Sequence, residues 1–475
     1  MSKRVKRLYP EDRKTMFGVT TMCLISEVGG ALLASILMMY LTDYSGLYVG
    51  IPGKAAAAIT TMLFIGRLWD GINDPIAGIL LDRSPRTRWG RYKPYFVVGT
   101  VIVIISVVSI FNIPKGWDDS LKLALFYICY LAFDTGTTIS GTKPVIYTLS
   151  KETRVRNKMF AKPRYWVALA SMSISFITPI SIALSGDALN PAYGKTILLF
   201  ILPVGLLSLL GILLVREGNV TEHEEKLQWS DFISLVRTNK VWLIGTVIGL
   251  FNGLAYPLVS STATYYLKYT FGAENIGFFG MIWGLCMVLS IFLGTIFGNI
   301  LMKKLSADKA LGVTMLVAAA AFGVLFVLNL GGPIRNPVLL YALCVLGLIG
   351  IHSSYVPVQL ISLDAADYNR LTLGKGMIGV LNSIGGLISK GQTAIATAIA
   401  GMVLVAVNYD ASSFQDLANV PASFYSSMGG VFFGATVVVC LISAVLAFKF
   451  YPLKGENRTK FLGQIAELDA KEHAE

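Results

Sequence analysis

The sequence predicts an all-α membrane protein: twelve transmembrane helices in two pseudo-symmetric six-helix bundles. Three observations carry this. Hydrophobic residues make up 54% of the 475 positions and charged residues only 14%, where soluble domains carry about 25% charged residues; mean hydropathy is +0.64. The apolar residues arrive in blocks of roughly 20 or more, the length that crosses a hydrocarbon core about 30 Å thick. The basic residues gather in short connections on alternate sides of those blocks.

Taken in order, the predicted spans are 16–41, 56–81, 95–113, 122–149, 164–185, 196–215, 241–267, 276–301, 310–330, 338–362, 376–407 and 426–450. The first block follows a charged segment, Ser2 to Lys14, and is long enough to cross, so it reads as a membrane helix rather than a cleaved leader. Arg83, Arg86, Arg88, Arg91 and Lys93 follow span two, and Lys151, Arg154, Arg156, Lys158 and Lys162 follow span four. The positive-inside rule then puts both termini in the cytoplasm of a cell whose inner membrane holds the chain, consistent with an even number of spans. The polar stretch 216–240 divides a first bundle, 1–215, from a second, 241–450, and 451–475 reads as a solvated, charged cytoplasmic tail. Tyr265, Tyr266 and Tyr269, at the outer end of span seven, read as part of an interfacial aromatic belt.

Composition excludes other classes. The net charge of +12 sits in loops as a topology signal, not as a nucleic-acid footprint. The five cysteines lie inside apolar blocks without Cys-x-x-Cys spacing, which argues against disulfides and zinc. There is no phosphate-binding loop, His cluster or haem motif, so an enzyme or an ATP-driven pump is not expected. No cofactor is expected.

Ionisable groups inside the spans are the informative residues, because each costs roughly 2.5 to 3.5 kcal/mol or more at the bilayer centre. Span two carries Arg67, Asp70, Asn73 and Asp74, whose offsets place them along one helix face. Two carboxylates one turn apart need a cation: a proton, a metal ion, or a Lys or Arg. If the ion is sodium, Asp70, Asn73 and Asp74 are its oxygen ligands; the alternative is an ion-pair network that only joins helices. Lys390, near the middle of span eleven, is the natural counter-charge from the other half. Span four carries Asp134 and Thr137 on one face, with Lys143 nearer the cytoplasmic end, where it can snorkel. Glu27 in span one and Arg164 in span five can bracket a polar ligand or simply pair with each other. His352 reads as a satisfied interior histidine.

Two stretches resemble a known signature. Arg67-Leu-Trp69-Asp70-Gly-Ile-Asn73-Asp74-Pro75 and Arg88-Trp89-Gly90-Arg91-Tyr92-Lys93-Pro94, with Asp364-Ala-Ala-Asp367-Tyr368 and Lys390 further on, resemble the melibiose-permease-like family of glycoside–pentoside–hexuronide:cation symporters within the major facilitator superfamily. The resemblance implies the two-bundle major facilitator fold, with sites between the halves near the midplane. It implies that Asp70, Asn73 and Asp74 bind the coupling cation, with Lys390 as the lysine that interacts with it; Arg67, on the same face of span two, reads as a second charge partner. It implies substrate contacts from Glu27, Arg164 and Tyr355. Departures are informative too. Thr137 stands where the family holds sugar with an aspartate, Gly141 where it has a tryptophan, and Gly385-Gly386 where it has Gln-Thr. Asp134 stands where a threonine assists sodium.

The expectation is therefore a cation-coupled symporter of a glycoside or sugar acid, a hexuronide among the options, working as a monomer in the lipid bilayer by alternating access. Asp134 adds a third carboxylate to the cation site, which favours a proton over sodium. The alternatives are a carrier of lysolipid-like amphiphiles and a non-transporting sensor or scaffold of the same fold.

Overall fold

The computed structural model describes residues 13–32, 84–114, 116–149, 173–186, 192–217, 237–272, 275–373, 378–409 and 416–472, together with isolated positions between these stretches. Among them, nine helical stretches are long and apolar enough to cross a membrane. They coincide with predicted spans three, four and six to twelve; spans one, two and five run partly outside the described residues. In lipid every backbone N–H and C=O must be satisfied within the segment, which is why such blocks become helices. The chain forms two compact units. One comprises Met1–His223, Phe271–Leu285 and Asn408–Asn419; the other comprises Glu224–Thr270, Cys286–Val407 and Val420–Glu475.

The first unit holds α1 (Arg13–Leu32), α2 (Lys93–Phe111), α3 (Asp119–Ile139), α4 (Thr142–Leu149), α5 (Ile177–Ser185) and α6 (Tyr193–Leu214). Helix α6 packs on α1 and α2, and α2 packs on α3. One side of α6 carries Leu199, Leu206 and Leu213, which are 62, 63 and 63% exposed and face the surface that lipid covers. Its buried side carries Gly205, Ser208 and Gly211. Apolar burial drives helices together only weakly in lipid, so close backbone approach at small residues does the work. The Ser208 hydroxyl donates to Thr21 O at 2.9 Å and accepts from Ile25 N at 3.1 Å. A Cβ on Gly211 would run into Thr21 Oγ1 and lie 2.7 Å from Gly18 O. Gly211→Leu is therefore expected to prise α1 from α6 at an overpacking cost of about 1–3 kcal/mol, seen as a lower thermal unfolding midpoint in detergent. An unchanged midpoint would mean the contact yields.

The second unit holds most of α7 (Lys240–Phe271) and α8 (Ile276–Lys304). It also holds α9 (Ala307–Asn329), α10 (Pro337–Ser353), α11 (Tyr355–Leu373), α12 (Ile378–Ala406), α13 (Ala422–Gly429), α14 (Thr436–Phe450) and α15 (Glu456–Glu472). Predicted span ten is divided at Ser354 into α10 and α11. Pro357 has no N–H for the carbonyl of Ser353, and Gly298 closes on that carbonyl, where a Cβ would stand 2.5 Å from the oxygen. The buried Asn252 of α7 donates to Ser354 Oγ at 2.8 Å and marks the break. Between α13 and α14 the helix loosens into a π turn, Gly430–Ala435, with Phe432 and Phe433 buried.

Two sequence expectations are corrected here. Tyr265, Tyr266 and Tyr269 form no interfacial belt; all three are at most 3% exposed. The Tyr266 hydroxyl donates to Asn329 Oδ1 at 2.7 Å and accepts from Ile334 N at 3.1 Å, and Tyr269 O accepts from the Tyr425 hydroxyl. The Tyr266 hydroxyl thus has interior partners, which removes the reason for that tyrosine to stay at the interface. The segment after Leu453 is not simply a solvated tail. Residues Glu456–Glu472 form α15, which packs on α11. Arg458, Phe461 and Ile465 share one helix face by their spacing. Phe461 is buried and stacks on Tyr368 with ring centroids 6.4 Å apart. The charged residues on the other face hid this stripe in the composition.

Candidate functional site

Between α1 and α2 the described positions Ile65, Gly66, Trp69, Asn73, Ile76, Ala77, Leu80 and Leu81 are helical, as span two requires. Three of them, Gly66, Trp69 and Asn73, meet α3. A Cβ on Gly66 would stand 2.5 Å from the Tyr130 ring, so glycine is what lets the two helices close there. Trp69 Nε1 donates to Thr135 Oγ1 at 3.0 Å, and Asn73 Nδ2 donates to Thr138 Oγ1 at 3.2 Å. The paired positions rise together on both helices, so spans two and four run parallel. Side-chain hydrogen bonds between membrane helices contribute about 0.6 kcal/mol each, at most about 1.7. Two in succession fix the rotation of span two about its axis.

Asn73 is 6% exposed. Its partner Thr138 donates in turn to Asp134 O at 3.1 Å, and Thr137 donates to the same carbonyl at 2.8 Å. Both threonine hydroxyls thus spend their protons on their own helix, and Thr138 is left to accept from Asn73. The amide oxygen of Asn73 is the end turned away from that bond. Asp134 is half-buried one turn before Thr138. An amide oxygen and a carboxylate on facing helices are hard-cation ligands in type. Arg67, Asp70, Asp74 and Arg164 lie outside the described residues; Glu27 belongs to α1, but its side chain does too. Among the described residues, no three His, Cys, Asp or Glu side chains converge as metal ligands.

Lys390 lies half-buried on α12, and Tyr355 opens α11 with 46% of its surface exposed; both belong to the second unit. Two residues after Lys390, the buried Gln392 donates to Gly249 O at 2.8 Å and to Leu250 O at 2.9 Å on α7. A Cβ on Gly253 would collide with that amide. Gln392 therefore sets how α12 is turned against α7, and with it the side of the helix that Lys390 occupies. Sequence reasoning missed it because an uncharged amide among apolar residues gives little signal. His352 is interior as expected, its ring 5.3 Å from that of Tyr256, but its Nε2 is enclosed with no hydrogen-bond partner among the described residues.

The Asp364–Tyr368 patch has a role at the end of the second unit. Asp364 is 3% exposed. Arg458 of α15 grips it with both guanidinium nitrogens, at 2.6 and 3.3 Å, and the Tyr451 hydroxyl donates to it at 2.7 Å. Burial and the neighbouring carboxylate push the Tyr451 hydroxyl well above its ordinary pKa. Burial works against the Arg458 charge, but the bond to Asp364 and the negative charge of Asp364, Tyr451 and Asp308 together outweigh it and raise its pKa. In the first unit Glu217, also unmarked by sequence reasoning, accepts at one carboxylate from Arg91 N, Tyr92 N and Lys93 N at 2.6, 2.9 and 2.6 Å. It caps α2 from the far end of α6.

A family model described as MFS/sugar transport protein matches residues 24–455. An uncharacterized symporter of Bacillus subtilis is 24% identical over 90% of this chain and 89% of its own length. A putative glycoside/cation symporter of Escherichia coli is 24% identical over 80% of this chain and 79% of its own. The isoprimeverose transporter of Lactiplantibacillus pentosus is 22% identical over 81% of this chain and 78% of its own. In fold, the chain is similar to a D-xylose-proton symporter, with a TM-score of 0.62 at 13% identity over 92% of this chain and 97% of that one.

Proposed function

The chain belongs to the MFS/sugar transport protein family, and from that premise we propose that it is a cation-coupled symporter of a glycoside or sugar acid. It is an integral membrane transporter of the major facilitator fold, not an enzyme. The observation that carries the finer reading is the buried Asn73, bonded to Thr138 on the helix that also bears Asp134. Costly polar groups at membrane depth persist where they line an ion or substrate path. In this reading Asp70, Asn73 and Asp74, with Asp134 as a third acid, bind the coupling ion. Three acids around one site raise at least one pKa, which favours a proton over sodium. Lys390, with Arg67, competes with the ion for the same carboxylates, so ion binding shifts the conformational equilibrium. Glu27, Arg164, Thr137 and Tyr355 contact the substrate. The carrier works as a monomer in the inner membrane with both termini in the cytoplasm. Two relatives, described as a putative glycoside/cation symporter and an isoprimeverose transporter, support the substrate class.

The test is counterflow. Proteoliposomes loaded with unlabelled compound are diluted into a trace of the labelled one, across a panel of glycosides, pentosides, hexuronides and lysolipids. The expected result is a transient overshoot for one glycoside or sugar acid, made stronger by a proton or sodium gradient. An overshoot for lysolipids alone would replace the sugar by an amphiphile. Silence across the panel, with no cation-dependent binding, would point to a sensor or scaffold.

A further inference from the structure

A second site lies in the first unit, at the membrane boundary where α2 begins and α6 ends. Thr87 and Gly90 bond to each other through both backbone groups, at 2.9 and 3.1 Å, and the Thr87 hydroxyl adds a bond to Gly90 O at 2.7 Å. Gly90 has φ +121, and a Cβ there would strike the Glu217 carboxylate. The result is a tight four-residue turn that holds Arg88 and Trp89 outward, with Trp89 62% exposed.

Beside this turn is a cavity of about 420 Å³, within the size range of small-molecule pockets. Its described lining includes four cationic side chains, Arg86, Arg88, Lys93 and Arg216, and one carboxylate, Glu217. Both oxygens of that carboxylate are held by the three backbone N–H groups at the start of α2, and its charge still acts on Lys93. Arg86 has an interaction of its own, and Arg88, Lys93 and Arg216 against the one carboxylate leave the described lining with an excess of positive charge. Trp89, Val97, Ile212 and Leu213 supply its apolar side. Val97 and Leu213 continue it onto the membrane-facing surfaces of α2 and α6, and Leu213 is 63% exposed.

We infer that this cavity binds the phosphate headgroup of an anionic phospholipid, with its acyl chains running along Leu213 and Val97 and the Trp89 ring at headgroup level. Three features select a lipid over a free anion. The cations stand at a membrane boundary, where basic pockets between helices hold anionic headgroups. Tryptophan is the ring that favours this depth. The cavity opens onto lipid-facing leucine, which a soluble phosphate would not use. The site is independent of which ion or sugar the protein carries.

The experiment is brominated-lipid quenching of tryptophan fluorescence in nanodiscs of phosphatidylcholine with a minor fraction of phosphatidylglycerol, one of the two lipids brominated at a time. A Lys or Arg near an anionic surface contributes roughly fivefold in affinity. Wild type should therefore be quenched by brominated phosphatidylglycerol at several-fold lower mole fraction than by brominated phosphatidylcholine. The preference should vanish in Trp89→Phe, which keeps every cation, and fall to about one in Arg88→Gln/Arg216→Gln. It should persist in Lys303→Gln/Lys304→Gln at the end of α8. Equal quenching of wild type by the two lipids would overturn the inference, as would a preference that survives both Trp89→Phe and the double arginine variant. Loss of the preference on adding millimolar glycerol phosphate would make this a free-anion site and overturn it as well.

Discussion

Asp74→Asn is expected to abolish uphill accumulation while leaving substrate exchange in place. One cation crossing 100 mV supplies about 2.3 kcal/mol, which supports roughly fiftyfold accumulation of a coupled neutral solute. With the carboxylate replaced by an amide, the ion loses its charged ligand, and the accumulation ratio should fall to about one. Counterflow needs no ion gradient and should continue, which separates lost coupling from lost folding. Thr138→Val supplies the graded comparison. It removes the acceptor that holds Asn73 at 3.2 Å, and loss of such a supporting contact costs about 10–100-fold in ion affinity. The half-saturating cation concentration should rise accordingly, with the maximal rate kept. Running both variants against separate pH and sodium gradients identifies the ion. Uphill accumulation that survives Asp74→Asn would sink the cation assignment.

Arg458→Gln is expected to destabilise the second unit by about 3 kcal/mol or more, because it strands a buried carboxylate. Asp364 would keep only the Tyr451 hydroxyl of its partners among the described residues. Asp364→Asn should cost less, since Arg458 sits nearer the surface, with 18% of its side chain exposed against 5% for Asp364, and can turn to water. The double variant Asp364→Asn/Arg458→Gln should recover much of the loss. Thermal unfolding in detergent, arranged as a double-mutant cycle, reads all three. Equal midpoints for Arg458→Gln and the wild type would mean that α15 contributes nothing to holding Asp364.

The contrast between these two sites tells what the sequence made legible. The fold was readable because lipid imposes one rule on length and polarity, and the apolar blocks obey it from Lys93 to Phe450 with few exceptions. Asp134 and Lys390 stood out because charges at that depth are rare, and Asn73 because it shares a helix face with Asp70 and Asp74. Pairing across helices was not readable. That Asn73 bonds to Thr138, that Gln392 spans from α12 to two carbonyls of α7, and that Glu217 caps α2 are facts of three-dimensional approach between residues 65 to 143 positions apart. The break at Ser354 had a local cause in Pro357, yet proline is common in membrane helices and does not by itself announce a break. The docking of α15 was hidden because two buried positions, Phe461 and Ile465, among charged neighbours scarcely move a composition.

The clasp between Ser208 and α1 has a consequence for how the protein is made. Ile25 and Ser208 are 183 residues apart. At synthesis rates of about 5–20 residues per second, α1 waits roughly 10–40 s for the helix it fits. During that interval its Gly18–Thr21 groove has no cognate surface, and lipid or the insertion machinery must cover it. A chain stalled before α6 emerges would present an open groove, and the quality-control machinery of the membrane could read that groove as the mark of an unfinished bundle.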